Sequence, residues 1–532
     1  MTLIAGMASN RGRNLIHIQD LKPGGAELSV VLTNESDAPV LESAEERGIE
    51  TVIVEQSADE SRREHERRVV EALAEFEFDV VALDGYMRVL SDTFLDAVPP
   101  TLNVHPSLLP SFPGMDAHEQ VLEAGVAITG CTVHVVTNAV AEDGSIMSEE
   151  VDAGPIVAQE AVPVFEGDTP QSLKERVLYE AEFKAYPRAI EWFAEDRLTI
   201  EDDAAIVDGD RAGQFPLRRG VSEDKVRELR YGENPHQDAA VYRDVTVEEA
   251  SVVAAEQLNP GAKALSYNNY NDADAALNLI KEFDEPAAAV IKHANPTGVA
   301  VADTVAEAYD RALSTDPKSA FGGIVALNRD CDSATAEQIV DSFKEVVVAP
   351  GYTEGALDVL TGEDNLRVLD VSEPLEPSVT MTEKPLVGGR LVQDRDLAAP
   401  DPDELEIVTE REPTQEELAS MVFAWQTVKH VKSNAILFAS GTETVGVGMG
   451  QVSRVDAVKL AAMKAESDAE GKSAEGAVMA SDAFFPFRDG IDEAAAAGIS
   501  AVVQPGGSVN DEAVIEAANE HDMAMAFTGT RA

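Results

Sequence analysis

Short apolar runs alternate with amphipathic segments along the first 200 residues of the chain. Buried strands are indicated by the short apolar runs LIAGM, LSVVLTN, TVIVEQ, FDVVALDG and CTVHVVTN. Apolar residues recur at helical spacing in RREHERRVVEALAEF and in a closing segment over residues 171–195. This alternation predicts an α/β domain in which helices cover a mainly parallel sheet.

The pattern changes between residues 198 and 222, where periodicity is lost and Asp and Gly accumulate. We therefore predict a first domain over residues 1–200, a linker over 201–220 and a second domain over 221–532. Further strands are indicated by AAVIKH, GGIVALN, AILFAS, TVGVGMG, GAVMAS and ISAVVQ, so the second domain is predicted to be mixed α/β. A Pro- and acid-rich stretch over 394–416 predicts a connection between two lobes of this domain.

Composition and charge narrow the range of possible functions. A formal charge of −57 argues against nucleic acid as a partner, because binding to phosphates needs a basic face. No apolar stretch approaches the length of a membrane span, and two cysteines cannot form a disulfide framework, so we expect a cytoplasmic protein. No Cys/His spacing predicts a metal site. The evenly spread acids and the excess of Arg over Lys are typical of a halophilic cytoplasm.

Three polar residues of the first domain are candidates for catalysis. In NVHPSLLP, Asn103 and His105 alternate on an extended segment and share one face, since Pro106 prevents a helix from starting there. In EVDAGPIV, Asp152 precedes a Gly-Pro turn, from which a carboxylate can project into a cleft. An amide that donates and a histidine that titrates near neutrality suit a carbonyl that becomes an oxyanion.

The stretch MASNRGRNL is a candidate phosphate-binding site. Gly12 permits a tight turn before a helix, and the free N–H groups at the start of that helix attract phosphate. Together with GYMRVLS, NVHPSLLPSFPG, VDAGPIVAQ and EFKAYP, it resembles glycinamide ribonucleotide (GAR) formyltransferase, which uses 10-formyltetrahydrofolate. The resemblance covers about residues 1–200 and implies a Rossmann-like formyltransferase domain. The residues it implies are the catalytic trio Asn103, His105 and Asp152, the folate contacts Met87, Arg88 and Leu90, the phosphate contacts Gly12, Arg13 and Asn14, and Glu182 at the glycinamide end.

Loops rich in Gly, Asn, Arg and aromatic residues recur through the second domain. They are RYGENPHQ, SYNNYNDADAA, IKHANPTG, DPKSAFGG, KHVKSNAI, GMGQVSRVDA, SDAFFPFRDG and QPGGSVND. So many such loops near predicted strands favour a composite ligand site. From about residue 221 to the end, the array closely resembles AICAR transformylase, the folate-dependent enzyme that formylates aminoimidazole carboxamide ribonucleotide (AICAR). That resemblance implies a two-lobed, mixed α/β (cytidine deaminase-like) fold.

The adjacent Lys292 and His293 of IKHANPTG end an apolar run just before a turn. The AICAR amine is a poor nucleophile, because its lone pair is drawn toward the ring carboxamide, so a base must remove its proton as attack proceeds. The resemblance implies that His293 is this base, that Lys292 is its cationic partner, and that Asn434 binds the reacting carboxamide or formyl group. The other implied contacts are Arg230 and Arg531 at the 5′-phosphate, and Tyr231, Phe321, Gly322, Arg454, Asp482 and Phe485 around nucleotide and folate.

The two resemblances together predict a homodimeric, bifunctional enzyme of purine synthesis that formylates both GAR and AICAR. No stretch of this sequence is left for the IMP cyclohydrolase module that usually accompanies AICAR transformylase. One alternative is an AICAR transformylase whose first domain is a formyl-folate hydrolase. The phosphate loop and Glu182 favour the GAR enzyme, because a hydrolase needs no site for a ribonucleotide phosphate. Another is a non-catalytic folate-binding or dimerising first domain, which the intact catalytic trio disfavours.

Overall fold

The computed structural model describes residues 1–201, 204–208, 215, 219, 221, 223–259, 262–372, 375–398 and 401–532. The chain divides into two compact units, Met1–Arg219 and Gly220–Ala532. The predicted linker over 201–220 lies largely outside the described residues. Of the predicted connection over 394–416, residues 399 and 400 lie outside them. Within the described parts, no helix is both long and apolar enough to cross a membrane.

The first unit is an α/β structure. Its strands are β1 (Leu3–Met7), β2 (Glu27–Thr33), β3 (Glu50–Ile53), β4 (Val80–Leu83), β5 (Thr101–His105), β6 (Ile128–Val135), β7 (Ile156–Pro163), β8 (Leu198–Glu201) and β9 (Ala204–Val207). Its helices are α1 (Arg13–Leu21), α2 (Val40–Glu45), α3 (Arg62–Leu73), α4 (Asp92–Leu95), α5 (Ala117–Ala124), α6 (Pro170–Arg176) and α7 (Phe183–Ala194). A 3-10 turn, Pro23–Gly25, follows α1, and a π-helical turn, Val177–Glu182, joins α6 to α7.

Seven of these strands form one sheet in the order β3-β2-β1-β4-β5-β6-β7, and β8 and β9 form a separate hairpin. All pairs among β1 to β5 are parallel, whereas β6 pairs antiparallel with both β5 and β7. The predicted α/β domain with a mainly parallel sheet is therefore confirmed. Because β1, β4 and β5 end at the same edge, the segments that follow them lie side by side there. The carbonyl of Gly85, for example, accepts from the N–H of Ser9 at 3.2 Å.

The second unit is larger and also mixed α/β. Its strands are β10 (Glu223–Leu229), β11 (Ala239–Asp244), β12 (Glu256–Gln257), β13 (Ala287–Lys292), β14 (Asn295–Val301), β15 (Ile324–Leu327), β16 (Val346–Ala349), β17 (Arg367–Asp370), β18 (Met381–Leu386), β19 (Gly389–Asp394), β20 (Glu406–Ile407), β21 (Ile436–Ser440), β22 (Glu443–Gly448), β23 (Val478–Ser481), β24 (Ala501–Gln504) and β25 (Ala524–Phe527). Its helices are α8 (Tyr267–Ile280), α9 (Val305–Leu313), α10 (Pro317–Ala320), α11 (Ser333–Val340), α12 (Glu354–Leu360), α13 (Gln415–Val428), α14 (Arg454–Ser467), α15 (Asp489–Ala496) and α16 (Asp511–Glu520).

A twelve-stranded sheet, in the order β12-β17-β16-β15-β13-β14-β22-β21-β23-β24-β25-β20, contains one arrangement twice. Each half begins with an antiparallel hairpin, β13–β14 or β21–β22. The first strand of the hairpin also pairs antiparallel with the next strand in the chain, β15 or β23. Two further strands, β16 and β17 or β24 and β25, then add to that strand in parallel. The two hairpins meet at the centre, where Ala300 of β14 pairs with Glu443 of β22. The two halves are therefore related by topology, although their sequences carry no evident repeat.

The central strands are buried on both faces. On β13, Ala289 and Ile291 belong to one hydrophobic core, and Ala288 and Val290 belong to the core on the opposite face. A strand covered on both sides needs apolar residues at every position, which explains the unbroken run AAAVI. The hairpins β10–β11 and β18–β19 lie outside this sheet and are mostly exposed.

Candidate active sites

His105, the last residue of β5, is buried and has an acceptor at each ring nitrogen. Its Nε2 lies 2.9 Å from the carbonyl oxygen of Phe112, and its Nδ1 lies 3.2 Å from Oδ2 of Asp152. A neutral imidazole carries one N–H only, so the protonated ring is the form that satisfies both contacts. The ring is therefore fixed between a carbonyl oxygen and a carboxylate.

Asp152 lies in the loop before β7 and has a positive φ of 57°. Its Oδ2 also accepts from the backbone N–H of Gly114 at 2.9 Å. The loop runs close to β6, since a Cβ at Gly154 would lie 1.9 Å from the carbonyl oxygen of Val135. Glycine at this position thus permits the close approach that brings Asp152 to His105.

His134, on β6, is a member of this site that the sequence did not indicate. It pairs directly with Asn103 of β5, and its Nε2 lies 3.1 Å from Nδ2 of Asn103. Burial lowers the pKa of His134, against the opposing effect of the Asp152 charge, so the ring is neutral. Its Nδ1–H then donates to the carbonyl of Val135, 3.1 Å away, and Nε2 accepts from the Asn103 amide.

The predicted phosphate loop has the expected backbone but a different set of contacts. Gly12 has a φ of 53° and precedes α1. The backbone N–H of Asn14 donates to Oδ2 of Asp84 at 2.8 Å, so a carboxylate already occupies part of this helix start. Arg13 begins the helix and is half-buried. In contrast to the expectation, the Asn14 N–H is therefore directed at a carboxylate of the protein itself.

The side chain of Asn14 joins two carboxyl groups. Its Nδ2 lies 3.2 Å from Oδ1 of Asp84 and 2.7 Å from Oε2 of Glu182, the last residue of the π-helical turn. Burial raises the pKa of Glu182 to about 7, and the neighbouring Asp84 charge adds to this increase. Burial also raises the pKa of Asp84, whereas the contacts from Asn14 oppose it. Glu182 thus lies beside the predicted phosphate loop with a proton that it can lose near neutral pH.

The three predicted folate contacts differ in how their side chains are placed. Met87 is exposed, and its backbone N–H donates to Oγ of Ser9 at 2.8 Å. Arg88 donates to the side chain of Gln56. Leu90, in contrast, is buried in a core that includes Phe94. Of the three, Met87 has the side chain that is open to a ligand.

In the second unit, Lys292 and His293 lie at the tip of the β13–β14 hairpin. Lys292 ends β13, Asn295 begins β14, and the two residues between them have positive φ values, 54° for His293 and 55° for Ala294. The ammonium of Lys292 donates to the carbonyl of Phe321 at 2.7 Å, which joins the turn to the segment SAFGG. The side chains of His293 and Phe321 are both exposed.

Asn295 extends this cluster to the segment KHVKSNAI. Its Nδ2 donates to the carbonyl of His293 at 2.9 Å, and its Oδ1 accepts from the N–H of Lys432 at 3.1 Å. Asn434 follows in the same segment, but both of its amide hydrogens point to backbone carbonyls, those of Gln451 at 2.9 Å and Val452 at 3.0 Å. Asn434 can therefore contact a ligand only as an acceptor through Oδ1.

Oδ1 of Asn434 also accepts from Nη2 of Arg454 at 2.9 Å. The same guanidinium donates to Oγ of Ser481 at 2.8 Å and to the buried carboxylate of Asp482. Arg454 is thus committed to protein partners. Phe485, a predicted ligand contact, is buried and packs in a hydrophobic core.

The remaining predicted residues lie in loops and at the chain end. The guanidinium of Arg230 lies 5.7 Å from the ring of Tyr231, and that of Arg531 lies 5.1 Å from the ring of Phe484. Gly322 follows Phe321 with a φ of 71°. A cavity of about 410 Å³ opens beside the hairpin turn; its lining includes Lys292, His293, Asn295, Asp316, Met449 and Lys464.

Comparison with known proteins gives two family matches. The family model described as AICARFT/IMPCHase bienzyme matches residues 179–464, more than half of the chain, and the model described as formyl transferase matches residues 1–190. Among solved structures, glycinamide ribonucleotide transformylase 1 from Symbiobacterium toebii is 41% identical, with 39% of this chain and 94% of that protein covered and a TM-score of 0.36. Phosphoribosylglycinamide formyltransferase from Anaplasma phagocytophilum is 34% identical, with 39% and 95% covered and a TM-score of 0.34. The corresponding enzyme from Brucella melitensis is 38% identical, with 36% and 95% covered and a TM-score of 0.32.

Proposed function

Since the chain belongs to the AICARFT/IMPCHase bienzyme family and begins with a formyl transferase domain, we propose that it performs two formyl transfers of purine synthesis. The first unit formylates GAR, and the second formylates AICAR to give FAICAR. The donor at each site is 10-formyltetrahydrofolate. The observation that carries this proposal is that each unit has its own histidine cluster at the end of a strand, His105 with Asp152 and His293 with Lys292.

In the first unit, the GAR amine attacks the formyl carbon, and the formyl oxygen gains negative charge. One N–H of Asn103 is taken by His134, and the other is available to this oxyanion. The His105 imidazolium donates through Nε2 to the neutral carbonyl of Phe112, and an oxyanion is a stronger acceptor for the same N–H. Asp152 keeps the ring charged and accepts the amine proton, directly or through a water molecule.

That proton has to reach the folate nitrogen as the carbon–nitrogen bond to the donor breaks. Asp152 is placed for this transfer because its side chain is partly accessible, about 15% exposed. Glu182 and Arg13, beside the helix start, are the groups we assign to the ribonucleotide. A formyl-folate hydrolase would have no use for such a pair.

In the second unit, His293 is the base that takes the proton of the AICAR amine. Its exposed ring suits this role, since a base has to meet a proton on the substrate. Lys292 uses one ammonium hydrogen to contact Phe321 and keeps two for the formyl oxyanion or the departing folate nitrogen. Oδ1 of Asn434, which already accepts from Arg454, is the atom we assign to a hydrogen bond from the substrate amide or amine.

We further propose that the chain works as a homodimer. The hairpins β10–β11 and β18–β19 expose apolar side chains, among them Val226 and Tyr242 on the first and Leu386, Val387 and Leu391 on the second. An isolated two-stranded hairpin is only marginally stable in water, so a second copy of the chain is the expected cover for these surfaces. Light scattering in concentrated KCl, the medium that suits so acidic a surface, should give twice the chain mass.

The test of the proposed function is formyl transfer by the purified chain in concentrated KCl. Each ribonucleotide is supplied separately with 10-formyltetrahydrofolate, and wild type is compared with His105→Ala and His293→Ala. Each substitution is expected to abolish one reaction and to leave the other unchanged, which makes each variant the control for its partner. If only AICAR reacts, the assignment of the first unit to GAR fails. Formate release without a ribonucleotide would then identify a hydrolase.

A further inference from the structure

We propose that Asp272 is a positioning residue that holds the catalytic β13–β14 turn in its unusual conformation. The inference rests on the proposed role of His293 as the base. Asp272 belongs to α8, which lies outside the hairpin. Its Oδ2 accepts from the backbone N–H of His293 at 3.1 Å, and its Oδ1 accepts from the backbone N–H of Ala294 at 2.8 Å.

The turn requires such support because of the residues that form it. A two-residue hairpin turn with positive φ at both central positions favours Asn-Gly, since Gly accepts positive φ without cost and Asn accepts it better than most residues. Here the central residues are His293 and Ala294, at 54° and 55°. Alanine has no polar side chain that could compensate locally for this left-handed conformation. The compensation therefore has to come from outside the turn, and two charge-assisted hydrogen bonds to one carboxylate supply it.

The second half of the sheet offers an internal comparison. Its hairpin, β21–β22, also has a two-residue turn, in which Ser440 pairs with Glu443. There the first central residue is Gly441, with a φ of 58°. At the corresponding place in the first half the chain has His293. The β21–β22 turn thus has a single positive φ, which a glycine supplies, whereas the β13–β14 turn has two, at His293 and Ala294, together with an external carboxylate.

The two sides of the turn are held by different groups. Asp272 binds the N–H groups of His293 and Ala294, and Asn295 binds the carbonyl of His293 through Nδ2 at 2.9 Å. The backbone of the catalytic residue is thereby fixed, whereas its ring stays exposed. Loss of Asp272 should release the backbone and move the ring away from the substrate amine. The chemical step depends on this geometry more than substrate binding does, so kcat should fall more than KM rises.

The test combines Asp272→Ala with Ala294→Gly, because glycine adopts a positive φ without an external partner. Asp272→Ala is expected to lower kcat for AICAR at least about tenfold, with GAR formylation unchanged. Ala294→Gly alone should stay near wild-type activity. The double variant should recover part of the lost kcat, since the glycine removes the cost of a positive φ at one of the two turn residues and leaves that at His293. A merely structural defect elsewhere in α8 would not be repaired by a substitution in the turn.

Three results would overturn the proposal: wild-type activity of Asp272→Ala, a double variant no better than Asp272→Ala, or the same loss of GAR formylation. Thermal unfolding gives a readout that does not depend on the role of His293. Ala294→Gly should raise the melting temperature more in the Asp272→Ala background than in wild type, and additive effects would contradict the proposal. If His293→Ala keeps full AICAR activity while this coupling is present, the assigned base is wrong and the role of Asp272 in the turn stands.

Discussion

Replacement of His134 by alanine should impair GAR formylation, although we do not expect His134 to touch the substrate. In the structure its Nε2 accepts the amide hydrogen of Asn103 at 3.1 Å, between neighbouring strands. This contact fixes the rotation of the Asn103 amide, and thereby the direction of the second amide hydrogen. Without it, a partly buried donor loses its partner and the amide is free to turn.

The size of the effect follows from these two consequences. An unsatisfied buried donor costs about 1–3 kcal/mol, which corresponds to roughly 5- to 150-fold if it appears wholly in the transition state. If the Asn103 amide turns away completely, the loss is that of one oxyanion donor, about 10²- to 10³-fold in kcat. We therefore expect kcat for GAR to fall by between about fivefold and 10³-fold in His134→Ala.

The assay is steady-state formylation of GAR, with AICAR formylation by the same preparation as the internal control. His134→Gln is the matched variant, because the Gln carbonyl can accept from the Asn103 amide, and it should retain more activity than His134→Ala. GAR activity within about twofold of wild type in His134→Ala would refute the reasoning, since that corresponds to only ~0.4 kcal/mol. Equal activity of the alanine and glutamine variants would show that GAR formylation does not depend on a hydrogen-bond acceptor for the Asn103 amide.

Three further predictions address other parts of the molecule. Because burial raises the pKa of Glu182 to about 7 from 4.5, the folded unit holds an extra proton between these pH values and loses stability as pH rises through them. Glu182→Gln should flatten this dependence in thermal unfolding scans at pH 5 to 8. Asp152→Asn should lower GAR formylation by about 10²- to 10⁴-fold and spare AICAR in the same assay. Glu249→Ala should destabilise the second unit by about 3–5 kcal/mol in urea titrations, because it leaves the buried Lys281 without its carboxylate partner.

The fold class could be predicted because it depends on local patterns. Apolar runs and helical spacing predicted strands and helices of the first unit and six strands of the second, and the alternation of the two element types in the first unit predicted its mainly parallel sheet. His134 could not be recognised in the same way, since in CTVHVVTN it is one residue of a strand. Its significance comes from pairing with Asn103, 31 positions away, and no local pattern specifies that pairing.

Motif membership was a poor guide to the direction of side chains. Leu90 and Phe485 belong to strings that resemble binding loops, yet each packs into a core. Asn14 follows the predicted turn at Gly12, yet its backbone and side chain bind carboxylates. Asp84 supplies one of these carboxylates from the end of another strand, and sequence position alone does not bring it to the start of α1. Such contacts depend on the sheet order.

The two histidines assigned to catalysis are held in opposite ways, and the difference matches the roles proposed for them. His105 is buried, and both of its ring nitrogens face acceptors, so its ring is held in one orientation. His293 is fixed through its backbone, by Asp272 and Asn295, and its ring is exposed. The proposed oxyanion donor is thus held through its ring, and the proposed base is held through its main chain. If this holds, a substitution that frees the ring of His105 and one that frees the backbone of His293 should each slow a single reaction. The loss at His105 should then be a loss of charge stabilisation, and the loss at His293 a loss of position.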